Sequence, residues 1–265
     1  MPKTLISIPI FILLAVQVAF SQQKRTETYY VKHGTGNPAV IFVSGMAEDH
    51  SNWEQVQDSL SVATTTISYD RAGLGLTPYE GEKKDLPTMA LELNRLLKDL
   101  AVRLPIILVG HSLGCQIIKE FAFMYPEKVQ AIVFIDPGYN PQRLKDRIPD
   151  SLWQKRETLL KKYTPELNAG QRAEFDQLTV NTDRADAFTS FPSLPVIMFT
   201  ATKVTDFPAS REEIELKQQT HEEWTKKMPN AQHEIVKDSR HYIHHDHPEL
   251  IIRAIRNLCL DRKKI

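Results

Sequence analysis

The chain has 265 residues, 42% of them hydrophobic and 25% charged, a balance that suits a folded globular protein with room for one sizeable core. Its 33 basic and 33 acidic residues cancel to a formal net charge of zero, and neither a basic block nor an acidic tail interrupts the balance. The electrostatic footprint of a nucleic-acid-binding protein is therefore excluded, and no nucleic-acid partner is expected.

The first residues stand apart. Lys3 precedes an apolar run from Leu5 to Phe20 broken only by Ser7, Pro9 and Gln17; Ala19 and Ser21 are small, and polar Gln22-Gln23-Lys24-Arg25 follows. A positive start, an apolar middle and a small-residue end predict a secretory signal peptide over 1–21, cleaved after Ser21. The run is shorter than the ~20 residues that span a bilayer comfortably. No cysteine follows it to carry a lipid. A mature chain of 22–265, secreted or periplasmic and without a stable membrane anchor, is expected.

From there strands and helices alternate. Residues 28–31 read as a short strand, and His33-Gly34-Thr35-Gly36-Asn37-Pro38 as a turn. Residues 39–43 form a buried strand ending in Ser44-Gly45-Met46. Trp53, Val56 and Leu60 sit at helical spacing within 51–61. The strand 64–69 ends in Asp70-Arg71-Ala72-Gly73-Leu74-Gly75. A helix over 86–103 carries Pro87 in its first turn and Met89, Leu93, Leu96, Leu97 and Leu100 on one face.

Ile106-Ile107-Leu108-Val109 is a short apolar run rich in Ile and Val, as a strand buried on both faces should be. It enters Gly110-His111-Ser112-Leu113-Gly114, a G-x-S-x-G followed by a helical pattern. Glycines on either side of the serine permit a strand-to-helix turn in which any Cβ would strike backbone. Such a turn exposes the Ser112 hydroxyl above a helix N-terminus, where free N–H groups favour negative charge. This is the mechanical signature of a nucleophile elbow.

The strand 129–135 ends in Asp136-Pro137-Gly138. Residues 141–190 break the alternation; they are largely polar and helical in pattern, and predict an inserted helical cap over about 137–190 rather than a second domain. A strand over 195–200 resumes the series. A helix over 210–228 follows, with Ser210 and Glu213 placed as a capping box, then a strand over 231–236 and a helix over 248–260. The predicted class is α/β, a mostly parallel sheet with helices on both faces. Ligands of such sheets bind beyond the carboxyl ends of the strands, which brings Met46, Ser112, Asp136 and the loop of His241 to one edge. Cys115 and Cys259 fall on helices of opposite faces, too far apart for a disulfide.

The stretches Val40–Gly45, Tyr69–Gly75, Val109–Gly114 and Ser239-Arg240-His241-Tyr242-Ile243 together resemble the α/β-hydrolase superfamily, in its order and at its spacing, and most of all its small capped serine esterases. The resemblance makes Ser112 the nucleophile and His241 its base, with the backbone N–H groups of Met46 and Leu113 as the oxyanion hole. Two positions compete for the acid. One is Asp206, near the family's usual place; the other, favoured here, is Asp136, directly after the strand that follows the elbow. Ser44 departs from the histidine that many relatives carry before the glycine, which affects how the oxyanion loop is braced. His244, His245 and His247 are read as solvated, and no metal site and no cofactor are expected. The implied function is hydrolysis of a small-molecule carboxylic ester through an acyl-enzyme. Perhydrolase, thioesterase and carbon–carbon hydrolase chemistry would use the same residues. The alternative is a non-catalytic small-ligand-binding protein on the same fold.

Overall fold

The computed structural model describes residues 27–205 and 210–260; the predicted signal peptide lies outside them. Seven strands form one sheet: β1 (Tyr30–His33), β2 (Val40–Val43), β3 (Thr66–Tyr69), β4 (Ile106–His111), β5 (Val129–Ile135), β6 (Val196–Ala201) and β7 (Ala231–Val236). Their spatial order is β1-β3-β2-β4-β5-β6-β7, with β1 antiparallel to β3 and every other pair parallel. The helices are α1 (Glu54–Ser61), α2 (Leu86–Asp99), α3 (Leu113–Met124), α4 (Gln142–Lys145), α5 (Asp150–Tyr163), α6 (Ala169–Asp176), α7 (Leu178–Asp186), α8 (Arg211–Lys226), α9 (Ile243–Asp246) and α10 (Pro248–Leu260).

The period-two alternation of a strand divides the core. Ile41, Val43, Leu108, Ile132 and Phe134 pack with α2, α3 and Trp224 of α8 on one face. Val40, Phe42, Ile107, Val109 and Val133 pack with α1, α9 and α10 on the other. Strands covered on both faces cannot show polar alternation, which is why β2 and β4 read as unbroken apolar runs. Neither cysteine is in a disulfide; Cys115 lies in the first cluster and Cys259 packs against the second.

Element ends follow local chemistry. Asp85 caps α2 by accepting the Thr88 N–H, and the helix stops at Asp99 rather than Arg103 because Ala101 turns left-handed at φ 47°. The first strand spans Tyr30–His33 rather than 28–31, a position set by its pairing with Thr66–Tyr69. Ser210 caps α8 through the Glu213 N–H, while the Glu213 carboxylate meets Tyr139 and Arg156.

Helices α4–α7 lie between β5 and β6 and are tied to the sheet domain by polar contacts. Arg184 grips Glu120 of α3 with two bonds, and Lys119 of α3 reaches the Ala185 carbonyl. Where α6 crosses the loop after β3, the backbones of Gly170 and Gly73 approach so closely that a Cβ on Gly170 would lie 2.5 Å from the Gly73 Cα. Because β3 and β4 flank β2 on opposite sides, the chain reverses direction across the sheet between β2 and β4. A crevice forms at such a switch point, and the loops after β2 and β4 border it.

Candidate active site

Ser112 sits at φ 51°, ψ −115° between β4 and α3, a region that non-glycine residues rarely occupy. The turn depends on its glycines. A Cβ on Gly114 would lie 2.0 Å from the Val43 carbonyl oxygen, and one on Gly110 would lie 2.7 Å from the Gly114 carbonyl. The Ser112 N–H donates to the Ile135 carbonyl (3.1 Å) and the Ser112 carbonyl accepts from Gly138 (3.3 Å), so the serine is stitched to both sides of Asp136.

Asp136 is fully buried and also left-handed, at φ 46°. Its Oδ1 accepts the Ala201 N–H (2.9 Å). Its Oδ2 receives two donors, His241 Nδ1 at 2.6 Å and the Lys217 ammonium at 2.9 Å. Burial alone would raise its pKa, but the Lys217 charge and the His241 bond outweigh burial and hold the carboxyl well below the usual range. The bond from Nδ1 leaves Nε2 of a neutral His241 ring as the free lone pair. Burial lowers the pKa of His241, and the neighbouring His111 ring lowers it further, against the pull of Asp136. His111 Nε2 also donates to the His241 carbonyl (3.1 Å), and the two rings lie 4.5 Å apart. Asp136 and His241 thus meet directly. Ser112 joins them through its bond to Ile135 and through its neighbour His111, with no hydrogen bond from its hydroxyl to His241 in this arrangement; such bonds are often long before substrate binds. Asp206 lies outside the described residues.

The loop after β2 is braced from three sides. Trp53 Nε1 donates to Ser44 Oγ (2.9 Å), which donates to the Asp49 carbonyl (2.8 Å). Arg71 donates to the carbonyls of Ser44 (2.7 Å) and Gly45 (2.6 Å) and pairs with Glu174 of α6 (2.7 Å). Glu174 in turn accepts the Ala47 N–H (3.0 Å), and Glu48 accepts that of Gly45 (2.7 Å). The N–H groups on either side of Met46 are therefore engaged, while those of Met46 and Leu113 have no partner among the described residues.

Several contributors had little signal in the sequence. Arg71 stood inside a quoted motif, yet Glu174 lies in a polar helix with nothing to mark it. Lys217 and His221 are polar residues one turn apart on the buried face of α8, a spacing that can be found by asking which polar groups interrupt an apolar stripe. His244 corrects the expectation of a solvated ring. The single turn of α9 directs it inward, where it is fully buried and stacks 4.5 Å from Trp53. Asp49, His50 and Asp70 are the one group of possible metal ligands among the described residues. Asp70 accepts the N–H and Nδ1 of His50 and the Leu76 N–H, and Asp49 accepts from Ser51.

His221 makes the fold acid-sensitive. Its Nε2 donates to the Pro137 carbonyl (2.9 Å), and its Nδ1 is bonded to Thr200 Oγ1 (2.6 Å). Burial, opposed by Asp136, pushes its pKa down to about 3. The unfolded chain takes up a proton near pH 6.5 that the folded chain refuses, so stability is complete above pH 6.5 and falls as pH drops from there toward 3. The melting temperature is expected to fall between pH 7 and pH 5, with a shallower slope in His221→Gln; equal slopes in the two proteins would contradict this.

The sequence of residues 40–254 matches the model of the alpha/beta hydrolase family, and the chain belongs to that family. It is 22% identical to an uncharacterized protein, YqjL, of Bacillus subtilis (strain 168), over 86% of each chain. Among solved structures it is similar to a thermophilic esterase from Thermogutta terrifontis (TM-score 0.62, 19% identity, covering 90% of this chain and 94% of that one). It is likewise similar to a monoacylglycerol lipase from Paleococcus ferrophilus (TM-score 0.64, 18% identity, 88% and 99%).

Proposed function

We propose that this protein is a serine hydrolase that cleaves a small carboxylic ester through an acyl-enzyme on Ser112. The observation that carries the reading is the 2.6 Å contact of Asp136 with His241 Nδ1, beside a serine held in the strained turn of an elbow. In this scheme Ser112 Oγ attacks the ester carbonyl while His241 Nε2 takes its proton. Asp136 fixes the tautomer and stabilises the imidazolium. The developing oxyanion takes the N–H groups of Met46 and Leu113, a contribution of several kcal/mol to the barrier. The imidazolium then protonates the leaving alcohol, and water activated by the same histidine releases the acid. That similar solved structures include an esterase and a monoacylglycerol lipase supports the ester as the bond cleaved.

The test is hydrolysis of nitrophenyl esters from short to long acyl chains by the wild type and by Ser112→Ala. Wild-type turnover that disappears in the variant, together with covalent labelling of Ser112 by a fluorophosphonate, is the expected result. A Ser112→Ala protein as active as the wild type would overturn the mechanism.

A further inference from the structure

Lys217 is a buried lysine that the ester-cleaving scheme leaves unused. Its side chain is 2% exposed, and its ammonium lies 2.9 Å from Asp136 Oδ2, the same oxygen that His241 Nδ1 approaches to 2.6 Å. One turn further along α8, His221 donates to the carbonyl of Pro137, the residue after Asp136. Two residues of α8 therefore grip the turn that carries the acid, one at the carboxylate and one at the backbone.

We propose that Lys217 is a positioning residue that sets the basicity of His241: by sharing Asp136 Oδ2, its fixed positive charge weakens the carboxylate's hold on the imidazolium and keeps His241 a free base at lower pH than an unshared aspartate would. The inference rests on the hydrolase reading for its kinetic consequence but not for its electrostatic one. A like charge near a titrating ring disfavours the ring's charged form. The other groups around the ring are few. His111 faces it from β4 and is itself bonded to Glu48 of the loop after β2 (3.1 Å). Tyr242 packs edge-on at 5.6 Å, and His244 of α9 packs against His111. Arg240 pairs with Asp246 at the surface. Asp136 is the carboxylate in contact with the ring, so the occupancy of its Oδ2 governs the attraction the ring feels. Burial and the charge of Lys217 both act on His241 in the lowering direction.

The experiment is the pH profile of kcat/KM for nitrophenyl ester hydrolysis in wild type, Lys217→Met and Lys217→Arg. Removal of the cation is expected to move the acid limb of Lys217→Met upward by about one pH unit, while Lys217→Arg, which keeps the charge, retains the wild-type limb. An unmoved limb in Lys217→Met, or an equal shift in both variants, would overturn the proposal. Nitrogen-15 histidine NMR of the full-length wild type and the same Lys217 variants reads the same quantity without any substrate. His241 should titrate at higher pH in Lys217→Met, or in Lys217→Gln should the methionine variant not fold, than in the wild type and Lys217→Arg; the same titration with and without the cation would overturn the proposal. Absence of ester hydrolysis would count against the hydrolase reading alone, since the NMR titration would still report the effect of Lys217.

Discussion

Asp136→Asn is expected to lower kcat by about ten-thousandfold, the scale on which a triad loses activity when its acid becomes an amide. An amide at Oδ2 either presents an N–H to His241 Nδ1 or turns its oxygen there with no negative charge behind it. In the first case the ring adopts the wrong tautomer and Nε2 can no longer accept the Ser112 proton. In the second the imidazolium loses its counter-ion. The same change removes the partner of Lys217, a buried ammonium 2.9 Å from Oδ2, and breaking one side of a buried pair costs about 3–5 kcal/mol. Activity and stability should therefore fall together, and thermal unfolding of the variant separates the two. Asp206→Asn is expected to stay within a few-fold of wild type. If instead Asp206→Asn were inactive and Asp136→Asn fully active, the acid would be the other carboxylate.

The second large effect belongs to Glu174. This residue of α6 is fully buried, pairs with Arg71, and holds the Ala47 N–H next to Met46. Glu174→Leu leaves the Arg71 guanidinium buried without its carboxylate, again a loss of about 3–5 kcal/mol, or on the order of 10 °C in melting temperature for a chain of this size. It also frees the Ala47 peptide, which holds its left-handed turn at φ 63°. With that anchor gone the Met46 N–H loses its aim, and an oxyanion donor out of place costs about a hundredfold in kcat. The double variant Arg71→Met, Glu174→Met removes both charges and should regain much of the stability without regaining the rate, because neither methionine can hold the peptides of Ser44, Gly45 and Ala47. A Glu174→Leu protein that melts early but turns over ester like wild type would show that the pair serves the fold alone.

These expectations differ in how much of them could be read from the residues in order. The elbow was legible because its signal is local. Gly110 answers a steric demand from Gly114 within the same five residues, although the demand on Gly114 comes from the Val43 carbonyl of β2, and an apolar run on one side with a helical stripe on the other completes the pattern. Asp136 stood out for its place at the end of β5, though the residues alone left Asp206 as a competitor. Chain order singled out His241, which lies against Asp136, but the inward turn of α9 that buries His244 was not legible, since a cluster of histidines in a short loop looks the same whether it faces water or Trp53.

The amino-acid sequence by itself determined the alternation of strands and helices, the parallel sheet that this alternation implies, and the positions at which strands end in chemically useful residues. All of these follow from short-range rules: side-chain period, glycine sterics and helix capping act between residues close together in the chain. Only the tertiary structure decided which charges share Asp136 and which hold the loop after β2. Lys217 is 81 residues from Asp136 in the chain, and Glu174 is 103 from Arg71. The energy of such pairs depends on burial and on distances of a few ångströms, and neither quantity exists until the sheet, α8 and α6 have packed together.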